Sequence, residues 1–408
     1  MKALVVAGGV PQVELIRQLK ERGIFTVLVD GSQYALAVPY ADSFYHVNIF
    51  NIEAVKAIAI KEKVDFLITV CADQVLLVVA QVSEMLGLPC YIDYKTAQDV
   101  SDKIRMKSVF KSIGVPTTDF VELNHFDENA IRHLKYPLVV KPVDAYSSKG
   151  VRKADNEEEL KQYYSDAQRI SRSGGVIVEE FFPGEEISVD AFVVNGKAHI
   201  LAVTNSDKLQ DKDRFVIFRG RYPVHASEAV LKQIEEIAQS IAEGFGLLNS
   251  PLLIQLLHNG DQVSVLEFCA RTGGNMKWLL IKYSCGVDVI TATIDITLGK
   301  EPDLTVRDTG NKVVVNDFIY CRPGVFDHFE GFDEMVAQGL INEFHQVRLK
   351  GTVISGITSS SDRIGGMNIV ADSIEEFNAK EKTILKNVKV IDVNGDDIMR
   401  RDLFPELK

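Results

Sequence analysis

Short apolar runs alternate with helical patterns along the first hundred residues. Apolar runs at 4–7, 25–29 and 66–70 are separated by segments whose apolar residues recur at helical spacing, as at 13–19 and 74–86. Strands that alternate with helices are typical of a parallel sheet covered by helices on both faces. We therefore predict an α/β fold that begins with a Rossmann-like domain over residues 1–98.

The glycine turn after the first apolar run leaves a dinucleotide site open as one interpretation, with Asp30 as the acid that binds a ribose. The turn reads Ala-Gly-Gly-Val-Pro-Gln and lacks the Gly-x-Gly-x-x-Gly pattern. Pro11 also stands where a helix-N-terminal amide would face a pyrophosphate. A tight strand-to-helix turn without a ligand fits this sequence better.

Two segments in the middle of the chain suit phosphate oxygens. A helix opens at Ser101-Asp102-Lys103, and a short buried strand at 136–142 carries Lys141 near its end. A buried lysine is costly unless an anion meets it. The polar turn at 146–151 has amides and hydroxyls that suit a phosphate nest, although such a sequence is also typical of a plain turn.

The segment 176–190 predicts two strands that flank a bend at Pro183-Gly184. Paired acids and paired phenylalanines surround this bend. Exposed backbone with apolar walls suits a flat heteroaromatic ring, whose edge the backbone reads and whose faces phenylalanine covers. The alternative is a β-turn with solvated acids.

The segment 254–267 predicts a β-hairpin with an Asn-Gly turn. Because side chains alternate along a strand, Glu267, Cys269 and Arg271 point to one face. An acid and an arginine on an apolar strand need partners, which a metal ion and a phosphate would supply. A structural Glu–Arg pair is the alternative.

Composition narrows the class of protein further. The 408 residues carry a net charge of −12, and no block of lysine and arginine stands out, which argues against a nucleic-acid or membrane-surface partner. No run of about 18 apolar residues predicts a membrane-spanning helix. Five cysteines without a Cys-x-x-Cys pair suggest reduced thiols in a cytoplasmic protein.

Taken together, the motifs occur in the order and approximate spacing of the ATP-grasp superfamily. The ones that carry this resemblance are Lys103, Val140-Lys141-Pro142, Ser147-Ser148-x-Gly150, Glu179-Glu180-Phe181-Phe182-x-Gly184-x-Glu186 and Glu267-x-x-x-Arg271-x-x-Gly274. The match covers roughly residues 1–300 and is most similar to carboxylate–amine ligases, among them L-amino-acid ligases and carbamoyl-phosphate-synthetase-like proteins. The segment 361–376 is similar to the C-terminal lobe of that branch.

The resemblance implies a domain order and a role for each motif residue. The Rossmann-like domain would be followed by an ATP-grasp fold of two α+β subdomains at 99–305, of which about 115–183 form a small mobile one, and by a C-terminal α+β lobe at 306–408. The implied roles are phosphate contacts for Lys103 and Lys141, a phosphate-covering loop at Ser147, Ser148 and Gly150, adenine contacts from Glu179, Glu180 and Phe182, a ribose contact from Glu186, and a transferred phosphoryl group held by Arg271, with Arg271 and Lys141 as the catalytic pair.

The same resemblance implies a metal site for two Mg²⁺ or Mn²⁺ ions, held by Glu267 and by Gln255 on the partner strand. These two side chains share a face only if the hairpin loop has an odd number of residues, so we predict a three-residue loop with Gly260 in the left-handed conformation. Cys269 stands where the family usually has asparagine. Because a thiol is a poor ligand for a hard cation, we predict weakened metal binding.

The implied activity is ATP-dependent joining of a carboxylate to an amine through an acyl phosphate, with release of ADP and phosphate, as in dipeptide-forming L-amino-acid ligases. Two alternatives remain, namely a bicarbonate-activating enzyme and a nucleotide-binding protein with little catalysis. The substrates would be small molecules that the sequence does not identify. Arg219 and Arg221 suit either a substrate carboxylate or a solvated basic loop, and the resemblance allows a homodimer.

Overall fold

A computed structural model of the chain describes residues 1–145, 148–210, 214–274 and 276–408. The first part is an α/β domain with a parallel four-stranded sheet in the order β3-β2-β1-β4. Its elements are β1 (Lys2–Val6), α1 (Val10–Glu21), β2 (Phe25–Asp30), β3 (Ser43–His46), α2 (Ile52–Glu62), β4 (Phe66–Ile68), α3 (Asp73–Leu86) and α4 (Tyr94–Ser101). The parallel sheet that the apolar runs predict is thus confirmed.

The glycine turn after β1 is closed by the chain itself. The amide of Gly8 donates a hydrogen bond of 2.7 Å to Asp30 Oδ2. A Cβ atom at Gly8 would lie 2.8 Å from the Ala35 side chain, so only glycine fits without a shift. The carboxylate considered as a ribose ligand therefore stabilises the turn.

The next part is a smaller antiparallel sheet in the order β5-β8-β6-β7. Its elements are α5 (Lys103–Ser112), β5 (Phe120–Leu123), α6 (Glu128–Ile131), β6 (Leu138–Pro142), β7 (Arg152–Ala154), α7 (Glu157–Ile170) and β8 (Val176–Glu180). Leu138 and Val140 of β6 belong to the apolar core of this unit, which includes residues of α7. Because neighbouring residues alternate, Lys141 and its cross-strand neighbours point to the opposite face.

A large antiparallel sheet forms the remainder, in the order β13-β12-β9-β10-β11-β14-β18-β16, with a separate sheet in the order β17-β15-β19. The large sheet contains strands from both sides of the predicted domain boundary at residue 305, because β14, β18 and β16 come from the C-terminal part of the chain. The elements are β9 (Glu185–Val194), β10 (Lys197–Lys208), β11 (Ile217–Tyr222), α8 (Glu228–Gly244), β12 (Ser250–Asn259), β13 (Gln262–Cys269), α9 (Lys277–Cys285), α10 (Val289–Thr297), β14 (Val313–Ile319), β15 (Gly324–Glu330), α11 (Phe332–Ala337), β16 (Glu343–Gln346), β17 (Val353–Ile354), β18 (Gly365–Ala371), α12 (Ile374–Asn387) and β19 (Lys389–Asp392).

An aromatic cluster fixes helix α5 against the hairpin of β12 and β13. The rings of Phe245 and Phe268 are 4.6 Å apart, and that of Phe110 lies 5.9 Å from Phe268. Phe110 and Phe268 are fully buried, so the position of α5 relative to β13 is set by close packing. Over the part of the chain that the structure describes, no helix has the length and apolar character needed to cross a membrane.

The hairpin itself corrects one prediction. Asn259 pairs with Gln262, so the loop has two residues and not three, although Gly260 is left-handed as predicted, with φ of +56°. The pairing shifts at a β-bulge: Leu256 pairs with Val265, but Gln255 pairs with Glu267, so β13 has one extra residue at this point. This bulge, and not the loop, brings Gln255 directly opposite Glu267.

Candidate active site

A cleft that is partly open to solvent lies between the small sheet and the face of the large sheet. Most of the predicted binding residues line it together, and these are Lys103, Lys141, Ser148, Glu179, Glu180, Phe182, Glu186, Gln255 and Glu267. Gly150 and Arg271 are described but do not line the cleft. Ser147 lies outside the described residues.

One end of the cleft carries the predicted metal ligands. The ammonium of Lys103, the first residue of α5, forms a short ion pair with Glu267 of β13. Burial opposes ionisation of this acid, but the adjacent Lys103 holds the pKa of Glu267 below its usual value. The carboxylate is therefore charged at neutral pH, and in this structure it pairs with the Lys103 ammonium.

Gln255 links this end to the predicted ribose site. Its Nε2 donates a hydrogen bond of 3.0 Å to Glu186 Oε1, which leaves the amide oxygen as the atom for other ligands. The second oxygen of Glu186 pairs with Lys208 Nζ at 2.6 Å. Glu186 is buried and belongs to β9, so one strand of the large sheet presents this acid to the cleft.

Glu179 of β8 lies between two lysines. Its Oε1 is 2.7 Å from Lys141 Nζ and its Oε2 is 2.7 Å from Lys107 Nζ. Burial opposes ionisation, but these two cations lower the pKa of Glu179 to about 2. Since the carboxylate also accepts a hydrogen bond of 3.2 Å from Thr118 Oγ1, most of its acceptor capacity is used. The adenine contact expected of this side chain stays a prediction.

The loop after Lys141 is shaped by glycine. Gly150 has φ of +75°, and a Cβ atom there would lie 2.8 Å from Ile170 Cδ1 and 3.0 Å from Pro142 Cγ. Ser148 also has a positive φ, +58°, and its carbonyl accepts a hydrogen bond from the amide of Val151. This tight turn brings Ser148, Lys149 and Val151 to the cleft.

At the other end, the chain crosses between the two sheets at residues 181–184. Phe181 stacks against Phe215 with ring centroids 6.4 Å apart, and both rings line the cleft beside Phe182. Gly184 is required here, because a Cβ atom would lie only 2.2 Å from the carbonyl oxygen of His258. The apolar walls predicted around this bend are thus present.

Arg271 is held by the first domain. Its Nε and one terminal nitrogen each lie 2.6 Å from an oxygen of Asp73, the first residue of α3. Burial opposes the charge of Asp73, but Arg271 keeps the pKa of this carboxyl below its usual value. Burial raises the pKa of the Cys269 thiol well above its usual value, and this protonated thiol also donates a hydrogen bond to Asp73.

The two arginines considered for a substrate carboxylate are already paired. Arg219 is fully buried and binds Asp317 at 2.6 Å and also Glu381, so it joins β11, β14 and α12. Arg221 pairs with Asp207 at 3.0 Å. Arg219 therefore has a structural role. The prediction of a solvated basic loop is wrong for this residue, which is fully buried between two acids.

The sequence prediction missed the charged residues Lys107, Asp73 and Lys208, each of which pairs with a predicted site residue. Lys107 is four residues after Lys103 and so on the same side of α5, which is a signal that was present in the sequence. Asp73 follows the carboxyl end of β4, where ligand sites of parallel sheets lie. Lys208 ends β10, and only the strand pairing brings it to Glu186.

Comparison with known proteins agrees with this geometry. Residues 134–278 match the model of the ATP-grasp domain. The chain is 30% identical to a phosphoribosylamine–glycine ligase of Lactococcus lactis over 62% of each chain, and 23% identical to an L-arginine-specific L-amino acid ligase of Bacillus subtilis over 66% of each. The match thus spans slightly less than two thirds of the length of these relatives.

A solved structure extends the comparison across the whole fold. The L-amino acid ligase of Bacillus licheniformis superposes with a TM-score of 0.80 at 19% identity, over 96% of this chain and 98% of that one. The chain therefore has the fold of this enzyme, and its residues 134–278 match the ATP-grasp domain that the order of its motifs indicates.

Proposed function

We propose that this protein is an ATP-dependent carboxylate–amine ligase that has an amino acid among its substrates. The observation that carries the proposal is the convergence of Lys103, Lys141 and Glu267 on one cleft whose far end has phenylalanine walls. Cations and a carboxylate at one end suit metal-bound phosphates, and the apolar end suits an adenine ring. The names of the relatives support an amino acid as one of the two reactants.

In the proposed reaction, a carboxylate oxygen of the substrate attacks the γ-phosphorus of ATP. The bond from that phosphorus to the β,γ-bridging oxygen breaks, ADP leaves and an acyl phosphate forms. The amine then attacks the carbonyl carbon, the carbon–oxygen bond to phosphate breaks, and the nitrogen loses a proton. Lys103 and Lys141 would bind the phosphates, and Arg271 would steady the phosphoryl group as it moves.

The residues around Glu267 suit Mg²⁺. A carboxylate and the free amide oxygen of Gln255 are the hard oxygen donors that this cation prefers, and they lie opposite each other on paired strands. Mg²⁺ bound there would neutralise phosphate charge and orient the phosphates. The protonated Cys269 does not fit a second set of hard donors, so two ions would need further ligands from the nucleotide or water.

The test of this function is release of ADP and phosphate by the full chain with MgATP and paired panels of amino acids, other carboxylates, amines and bicarbonate. We expect release that requires both a carboxylate and an amine, with a product mass equal to their sum minus water. Release with bicarbonate alone would favour a bicarbonate-activating enzyme. MgATP binding by calorimetry without turnover on any pair would overturn the ligase in favour of a nucleotide-binding protein.

The substitution Cys269→Asn is expected to tighten Mg²⁺ binding severalfold. An asparagine nitrogen can donate to Asp73 as the thiol does, and its oxygen adds a hard donor beside Glu267. The measurement is the Mg²⁺ concentration that gives half-maximal ADP formation. Cys269→Ala, which removes the thiol without adding a donor, is the control and should not tighten binding. An unchanged Mg²⁺ dependence for the asparagine variant would show that this position is not a ligand.

A further inference from the structure

Lys107 is a buried lysine whose charge the proposed chemistry leaves unused. It is 1% exposed, and it does not line the cleft. Its Nζ donates hydrogen bonds of 2.8 Å to Thr117 Oγ1 and 3.3 Å to Thr118 Oγ1, and it pairs with Glu179 at 2.7 Å. All its donors are therefore directed at fixed oxygens inside the protein.

Stability alone gives a weak reason for a lysine at this position. Bringing an ammonium and a carboxylate out of water is costly, and replacing a buried ion pair with apolar residues is often neutral or stabilising. Burial, partly offset by Glu179, lowers the pKa of Lys107 to about 8, which reflects that cost. A methionine of similar length would fill the same space against Phe120, whose ring Lys107 now contacts.

The charge balance around Glu179 supplies a better reason. Lys141 and Lys107 bind different oxygens of this one carboxylate, and of the two lysines only Lys141 lines the cleft. With both lysines charged, the three groups carry a net charge of +1. Without Lys107, Glu179 would neutralise Lys141, and this pair would present no net charge to a phosphate.

We propose that Lys107 is a positioning residue that neutralises and orients Glu179, so that Lys141 keeps its charge available for the phosphates of the nucleotide. This inference rests on the nucleotide site proposed above and adds a residue that itself contacts no ligand. Lys107 acts through the carboxylate that it shares with Lys141. The three groups Lys107, Glu179 and Lys141 together carry a net charge of +1, and this sum is positive only because Lys107 is charged.

The test is a charge cycle measured by calorimetric binding of MgATP and MgADP to the full chain without other substrates. Lys107→Met brings the net charge of the three groups to zero and should weaken MgATP binding about tenfold or more. Adding Glu179→Gln restores a net charge of +1, so the double variant should bind MgATP at least severalfold more tightly than Lys107→Met. A purely structural role for Lys107 would not produce this recovery.

Lys111→Met is the matched control, because Lys111 lies one turn further along α5, contacts the same Phe120 ring and pairs with Asp119 at the surface. It should leave binding unchanged. If Lys107→Met alone does not fold, Glu179→Gln serves as the reference, because its two lysines carry a net charge of +2. The double variant, with a net charge of +1, should then bind MgATP about tenfold more weakly than Glu179→Gln. Wild-type affinity in Lys107→Met, or a double variant as weak as Lys107→Met, would overturn the proposal. A wild type that binds no MgATP would instead refute the proposed nucleotide site.

Discussion

The substitution Glu267→Gln is expected to lower the turnover rate by roughly three orders of magnitude while the protein stays folded. Glu267 is the only carboxylate directly opposite Gln255 among the described residues of β13. A glutamine has nearly the same size but no charge, so it binds a divalent cation poorly and no longer pairs with Lys103. Charge that develops on the transferring phosphoryl group would then lack its main compensation at this end of the cleft.

The measurement is ADP formation across a range of Mg²⁺ concentrations, together with a thermal melt. The matched control is Glu185→Gln, since Glu185 is an exposed acid on the same large sheet that accepts a hydrogen bond from Asn205. We expect little change in turnover for the control. Retention of more than a tenth of the wild-type rate by Glu267→Gln would exclude Glu267 as the principal metal ligand.

The parts of the site that the sequence predicted are those whose residues are close together along the chain. The segment 179–186 carries three predicted binding acids and two of the phenylalanines that line the cleft within eight residues, so its pattern is visible in the linear sequence. The parallel sheet of the first domain was equally predictable, because buried parallel strands have continuous apolar runs. Local periodicity was enough for both features.

The hairpin shows where such reasoning fails. The prediction that Gln255 and Glu267 share a face is met, but by a β-bulge and not by the three-residue loop. A bulge leaves no distinctive pattern in the sequence, since its extra residue is an ordinary leucine in an apolar strand. Parity of the loop alone was therefore an incomplete criterion for register.

Residues that reach the site from distant segments could not be predicted from motifs. Asp73 contacts Arg271 across 198 positions, and Lys208 meets Glu186 through pairing of β9 with β10. Arg219 is the opposite case, because an exposed arginine and one buried between two acids have the same local sequence. Long-range ion pairs depend on the assembled fold, because residues far apart in the sequence meet only when the helices and strands pack together.

The pair Arg271–Asp73 gives the second large expected effect. Arg271→Met should lower the turnover rate by about 10²–10³, as expected when a charged donor to the reacting group is lost. Asp73→Asn should lower it by about tenfold, since an amide cannot accept both hydrogen bonds and the guanidinium loses its orientation. The double variant should be no slower than Arg271→Met, because Asp73 acts through Arg271 and the two effects are not additive.

The control is Asp295→Asn, which breaks another ion pair between the same parts of the molecule, Arg22–Asp295, at 2.6 Å. If Asp73 only fastens the first domain to the ATP-grasp domain, both asparagine variants should lower the melting temperature and spare the rate constant. If Asp73 orients Arg271, only Asp73→Asn should slow turnover, and it should do so at saturating MgATP. Additive rate effects for Asp73 and Arg271 would show that the carboxylate has a separate role, so the cycle decides whether the first domain takes part in phosphoryl transfer through this arginine.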